Sequence, residues 1–144
     1  MVLLLALRFS TPASAAAVRH RIDAMVVIAF GQKLGPELLD GRFAVNLHAS
    51  LLPRWRGAAP INRSMMAGDA ETGVSVISLA SRMDAGEVHA MRSIAIDPRE
   101  TAGELHDRLA VLGVEAVLEV LDRFAAGKVE SEVQDEAAVT AASK

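Results

Sequence analysis

The chain contains no cysteine. That excludes disulfides, thiolate metal sites and any cysteine nucleophile. It agrees with a reducing compartment, and a cytoplasmic location is expected. A long hydrophobic span is also missing. The apolar run at residues 1–7 (MVLLLAL) is far too short to cross a bilayer, so no membrane association is expected. Ala13-Ser14-Ala15 follows that run and mimics a signal-peptidase site. No positive residue precedes the run, and it is short for a signal core, so it reads as a strand or an artefactual start rather than a signal peptide. Basic excess is lacking too: 15 Lys and Arg stand against 18 Asp and Glu, for a net charge of −3. Nothing here resembles the basic surface of a free-standing nucleic-acid binder. Tryptophan occurs once, at Trp55, and packing is its expected role.

What is present suits one domain. Of 144 residues, 51% are hydrophobic, enough to bury a core of that size. Thr11-Pro12 offers a helix start, with Ala15, Val18 and Ile22 at helical spacing. Residues 25–29 (MVVIA) predict a strand buried on both faces, as in a parallel sheet. Gly31 ends it, a short helix at 36–39 follows, and 43–48 predict a second buried strand. Residues 49–57 read as a loop, 59–67 as a helix, and 72–79 and 88–96 as strands flanking a turn at Asp84-Ala85-Gly86, paired antiparallel. Thr101 to Glu104 matches a capping box, opening a helix with Leu105, Leu109, Leu112, Val117, Leu121 and Phe124 on one stripe. Gly127 and Lys128 fit its end. From residue 130 no periodicity remains, which predicts a tail or linker at 130–144 behind a domain at 1–129. The expected class is α/β, with a mostly parallel sheet and an antiparallel pair near the C-terminal end.

Asn46-Leu47-His48 closes the second buried strand. Side chains alternate along a strand, so Asn46 and His48 share a face while Leu47 points away. Ligands of open α/β sheets bind beyond the carboxyl ends of strands. This amide and imidazole therefore either hold a reacting group or satisfy local backbone groups. Arg54 and Arg56 either engage an anion or are solvated loop charges. His20, His89 and His106 are scattered and read as surface or packing histidines, and no metal-ligand spacing occurs.

The string NLHASLLPRWRGAAPI at 46–61 is long and specific. It resembles the signature of the folate-dependent formyltransferases. SLLP is shared across that superfamily, and RWRGAAPI is most similar to the methionyl-tRNA enzymes within it. GDAETGVSVI, MDAGEV and the late VQDEAAVT follow in the same order. The resemblance implies a partial Rossmann-like formyltransferase domain with Asn46, His48 and Asp84 as the catalytic trio. Gly86 completes the Asp-x-Gly turn, and Ser50, Leu51, Leu52, Pro53, Arg54, Arg56 and Gly57 lie around substrate or cofactor.

The implied reaction moves a formyl group from 10-formyltetrahydrofolate to the amino group of initiator methionyl-tRNA, without a metal. Asn46 would donate to the tetrahedral oxyanion, His48 would donate and relay a proton, and Asp84 would orient His48 and accept a proton. The resemblance also implies a longer protein, with a folate-binding half before this chain and a barrel-like domain after it, so the chain is expected to be truncated at both ends. In that case the strand at 25–29 would be an unpaired edge, open to self-association. Arg82 stands where the family more usually has a small or apolar residue. Alternatives are a formyltransferase acting on a sugar nucleotide or another amine, and an inactive fragment serving as a binding module.

Overall fold

The computed structural model describes residues 2–5, 23–28 and 34–144. The helix expected after Thr11 and the strand end expected at Gly31 lie outside them. The elements are β1 (Val2–Leu5), β2 (Ala24–Ile28), α1 (Pro36–Leu39), β3 (Phe43–His48), α2 (Pro60–Met66), β4 (Glu71–Ser78), β5 (Val88–Ala95) and α3 (Ala102–Ala125), followed by a 3-10 turn at Glu136–Ala138. The class is α/β.

One five-stranded sheet runs in chain order, β1 to β5. The β1–β2 and β2–β3 pairings are parallel, whereas β3–β4 and β4–β5 are antiparallel. The antiparallel part thus includes β3–β4 as well as the pair legible in the sequence. The expected open edge at 25–29 is corrected here. Val2–Leu5 pairs alongside Ala24–Val27, so β2 is bonded on both sides and, among the described residues, β1 is the strand at that end of the sheet.

Strand alternation divides the core. Val26, Val45, Val74 and Val76 face α3 and pack with Leu105, Leu109, Ala116, Val117 and Val120. Met25 and Val27 face the other way, beside Leu34, Ala44 and Leu79. Leu47 points at the helix. A Cβ on Gly113 would lie 2.6 Å from its Cδ2, so Leu47 sits against the helix at a position where the helix has no side chain. Asn46 and His48, one residue to either side of Leu47, therefore belong to the face opposite α3.

Helix α3 is long because both ends are closed. At its start Glu104 N donates to Thr101 Oγ1 at 3.2 Å, and Thr101 N donates to Glu104 Oε2 at 2.7 Å. The Thr101 amide holds the Glu104 carboxyl below its usual range. At its end Lys128 N bonds Arg123 O and Gly127 N bonds Phe124 O, with Gly127 at φ 68°, which is a Schellman closure. Phe124 stacks on Phe43 at 4.5 Å between centroids, tying the helix end to the start of β3.

Leu105 is fully buried, whereas Leu118 is 55% exposed on the outer face of the same helix. Leu105→Ala should lower unfolding free energy by about 2–5 kcal/mol. Leu118→Ala should stay within about 0.5 kcal/mol. Urea denaturation followed by circular dichroism checks both, and equal losses would show that the helix is held some other way.

Candidate active site

Because β4 runs antiparallel to β3, its end at Ser78 lies beside Val45, not beside His48. The loop 79–87 therefore leaves the sheet near the start of β3 and must lean back across the face opposite α3. Leu79 N donates to Ala44 O at 3.1 Å as it departs. Gly86 permits the tight return, since a side chain there would collide with the Ser78 carbonyl. Asp84 sits at the bend with φ 51°, a left-handed conformation that aspartate tolerates.

Its carboxylate meets three groups. Gly57 N donates to Asp84 Oδ2 at 2.9 Å. Asn46 Nδ2 lies 3.5 Å from Oδ1, and His48 Nδ1 lies 3.6 Å from Oδ2. Asn46, His48 and Asp84 are thus brought together on one face, with the His48 and Asp84 side chains only 7% and 12% exposed. The last contact exceeds hydrogen-bond length, so a proton passing between the two would need a small closure or a bridging atom.

His48 has a fixed orientation. Its Nε2 lies 2.8 Å from the Trp55 carbonyl oxygen. A carbonyl only accepts, so Nε2 carries the proton and donates. Nδ1 is left to exchange a proton, and it faces Asp84. The Trp55 backbone is itself unusual, at φ 63°. It is held from outside, with Trp55 N donating to Thr140 Oγ1 and the indole Nε1 to Asp69 Oδ2, each at 2.8 Å.

The rest of the loop divides into support and rim. Ser50 is buried and donates through Oγ to Arg54 O at 2.6 Å, while its own carbonyl accepts from Ser75 Oγ at 2.7 Å. Ser75 Oγ also accepts from Leu52 N at 3.1 Å. These bonds pin the segment onto β4. Pro53 O accepts from Thr140 N at 3.3 Å. Arg54 pairs with Asp69 at 2.8 Å and lies over the Trp55 ring. With Leu51, Trp55, Asp69, Ala70, Glu71 and Thr72 it lines a cavity of about 150 Å³, which contains none of Asn46, His48 or Asp84.

Arg56 is buried, and its guanidinium is bonded to the C-terminal segment. Nε and Nη2 donate to Gln134 Oε1 at 3.0 and 2.8 Å, and Nη2 also reaches Glu136 Oε1 at 2.8 Å. Residues 130–144, which have no periodicity, are packed down as a strap. Glu132 exchanges two backbone bonds with Val88, and Thr140 and Ala142 bond the backbone of Arg56. Gln134, Glu136 and Thr140 are site neighbours that sequence reasoning did not single out. The order of VQDEAAVT was the only signal, and it carried no role. Arg82 donates to Glu136 Oε2 at 2.8 Å, so Arg56 and then Arg82 hold the Glu136 carboxyl down at about 2. His89 is a packing residue, edge-on to Phe43 and bonded to Ser78 Oγ, and burial lowers its pKa. Among the described residues no helix is long and apolar enough to cross a membrane, and no group of three His, Asp or Glu gathers as a metal site.

With this geometry in place, the chain can be set beside known proteins. Residues 9–121 match a family model described as Formyl transferase. The chain is 52% identical over 124 residues to the methionyl-tRNA formyltransferase of Methylococcus capsulatus, covering 85% of this chain and 40% of that one. It is 51% identical over 127 residues to that of Phenylobacterium zucineum, covering 85% and 41%. It thus spans about two fifths of the length of these curated relatives. Among solved structures it is similar to HypX from Aquifex aeolicus in complex with tetrahydrofolic acid, with a TM-score of 0.82 at 21% identity over 91% of this chain and 23% of that one. The formyltransferase PseJ from Anoxybacillus kamchatkensis, in complex with a UDP-linked formamido sugar and tetrahydrofolate, gives a TM-score of 0.73 at 24% identity over 83% and 64%.

Glu136, bonded to Arg56 and Arg82, is expected to make strap docking pH-dependent. Its folded value of about 2 lies below its ordinary 4.5, so its contribution is full above about 4.5 and is lost as pH falls towards 2. The single tryptophan, bonded to Thr140, reports the strap. At low salt Trp55 fluorescence should change between pH 4.5 and 2, and Glu136→Gln should abolish that step. Identical titrations of the two proteins would remove Glu136 from the docking.

Proposed function

The chain belongs to the formyl transferase family, and from that premise we propose that it carries the catalytic centre for formyl transfer from 10-formyltetrahydrofolate to the amino group of initiator methionyl-tRNA. The observation that carries this reading is the meeting of Asn46, His48 and Asp84 on one face, in a chain about half identical to methionyl-tRNA enzymes. The lower identity to the sugar-nucleotide enzyme, 24%, weighs against a sugar amine as acceptor. The cytoplasm, where charged tRNA is used, is the proposed location. Residues 1–129 are the proposed catalytic domain, with residues 130–144 as a strap packed back onto its site.

In this reading the methionyl amine attacks the formyl carbon, forming a C–N bond and a tetrahedral oxyanion. Asn46 Nδ2 donates to that oxygen. The proton lost by the amine goes to His48 Nδ1 or Asp84, the two acceptors that face each other. His48 can take this role because Trp55 O occupies its other nitrogen. The same proton then passes to the folate nitrogen as its bond to carbon breaks, so the formyl group ends on the amine and tetrahydrofolate departs. Ser50, Leu51, Leu52, Pro53, Arg54 and Gly57 form the loop over this centre and are proposed to shape the folate side. Arg56 and Gly86 support it from behind.

The test is to exchange residues 23–144 into the matching segment of the Methylococcus capsulatus relative and measure N-formylmethionyl-tRNA formation. Transfer should be retained. Asn46→Ala should then lower kcat by roughly 10²–10³, and His48→Ala should lower kcat much more than it raises KM. Asp84→Asn should fold normally but lose most of its turnover. Near-normal kcat without both His48 and Asp84 would defeat the mechanism.

We also propose that Val2–Leu5 shields the β2 edge against self-association. Deleting residues 1–5 should expose Ala24–Ile28 and raise the oligomeric fraction in size-exclusion chromatography. An unchanged elution profile would argue against it.

A further inference from the structure

The loop carrying Asp84 has little of its own to hold it. It contains no helix or strand, and Arg82 and Met83, which precede the aspartate, are exposed. Its one internal backbone bond, from Ala85 N to Arg82 O, is long at 3.4 Å. Yet it must keep a carboxylate beside His48 while its two ends leave the sheet near Val45. The bond from Gly57 N reaches only the carboxylate. The backbone around Asp84 is held by the strap. Gln134 Nε2 donates to Asp84 O and to Gly86 O, each at 2.8 Å.

Gln134 is 7% exposed, and its carboxamide is fully used. Oε1 accepts twice from Arg56 while Nε2 donates twice to the Asp84 loop. That also fixes which way the amide points, because a guanidinium cannot accept and carbonyls cannot donate. One side chain therefore joins the Arg56 segment, which carries Gly57 and the Trp55 carbonyl, to the loop that carries Asp84. The distance between His48 Nδ1 and Asp84 Oδ2 depends on how these two segments sit against each other.

We infer that Gln134 is a positioning residue of the reaction: it sets the place of the Asp84 carboxylate against His48 through its two donated bonds, and its link to Arg56 alone does not suffice. The inference rests on the formyl-transfer reading for its kinetic consequence, but not for its structural one. A one-ångström displacement of such a group is enough to slow a reaction about 10²-fold.

Two substitutions separate positioning from simple anchoring. Gln134→Ala removes both sets of bonds and can loosen the whole strap. Gln134→Glu keeps an acceptor for Arg56, now charged, but replaces the donating nitrogen with an oxygen facing two carbonyls. A residue that only anchors the strap would be served as well by glutamate. A positioning residue would not.

The experiment uses the full 144-residue chain, with isotope labelling so that the Gly57 amide proton can be followed by NMR. In parallel, formyl transfer from 10-formyltetrahydrofolate to methionyl-tRNA is measured in the Methylococcus capsulatus chimaera carrying residues 23–144, unsubstituted and with each Gln134 variant. Gln134→Glu should melt within a few degrees of the parent. Its Gly57 amide should move upfield by at least half the displacement that Asp84→Ala produces. Its kcat should fall about 10²-fold with KM within twofold of the parent. A Gly57 resonance that stays in place with kcat within twofold would overturn the inference. If the unsubstituted chimaera transfers no formyl group, the functional reading fails, and the Gly57 shift alone then decides the role of Gln134.

Discussion

The Asp84 carboxylate is where the chain's distant parts meet. Gly57 N reaches it from the loop after β3, Asn46 and His48 face it from β3 itself, and the strap grips its backbone through Gln134. Neither the loop after β3, the Asp84 loop nor the strap has a large apolar core of its own. Their relative placement depends on polar atoms that are individually worth about a kcal/mol but are mutually exclusive in their geometry. A carboxylate accepting from a backbone amide cannot turn without leaving that N–H unpaired, and the penalty for a buried orphan exceeds the gain from the bond. The site is held less by strength than by the lack of any other arrangement that satisfies the same donors.

The sheet explains why such bracing is needed. In a wholly parallel sheet the loops that follow successive strands rise at the same end, and catalytic side chains gather there without further help. Here β3 is the strand where direction changes. Its partner β2 runs with it and β4 runs against it. The loop after β4 therefore begins at the wrong end for His48 and has to be bent back over the face and held there. The buried valines of β2, β3 and β4 under α3 supply a rigid floor, while the polar bonds above it set the finer distances.

Much of this was legible in the sequence, and what was not has a physical reason. The apolar runs and the capping box gave β2, β3 and α3 nearly to the residue, because periodicity and end chemistry are local properties. The spacing of Asn46 and His48 gave their shared face for the same reason. The antiparallel turn at β3 was not visible, since a short apolar strand reads the same in either direction. The pairing of Val2–Leu5 with β2 was missed because partner choice between strands is not written in either one alone. The strap was read as a tail because it is held by single polar side chains and backbone bonds, which leave no repeating pattern. Arg56 reads equally as an anion ligand or a loop charge in the sequence, and only the fold reveals its link to Gln134, far along the chain.

The group that orients His48 is a peptide carbonyl, not a side chain. Position 55 is thereby open to genetic drift in one sense and closed in another. Any residue supplies a carbonyl, so the tautomer of the imidazole does not depend on an indole being there. What position 55 must supply is tolerance of a left-handed backbone and something for Asp69 to grip. Asparagine or glycine meets the first demand more readily than tryptophan does. Across related sequences the trait to compare at this position is therefore backbone permissiveness, with side-chain identity a poor guide to whether the histidine is correctly set.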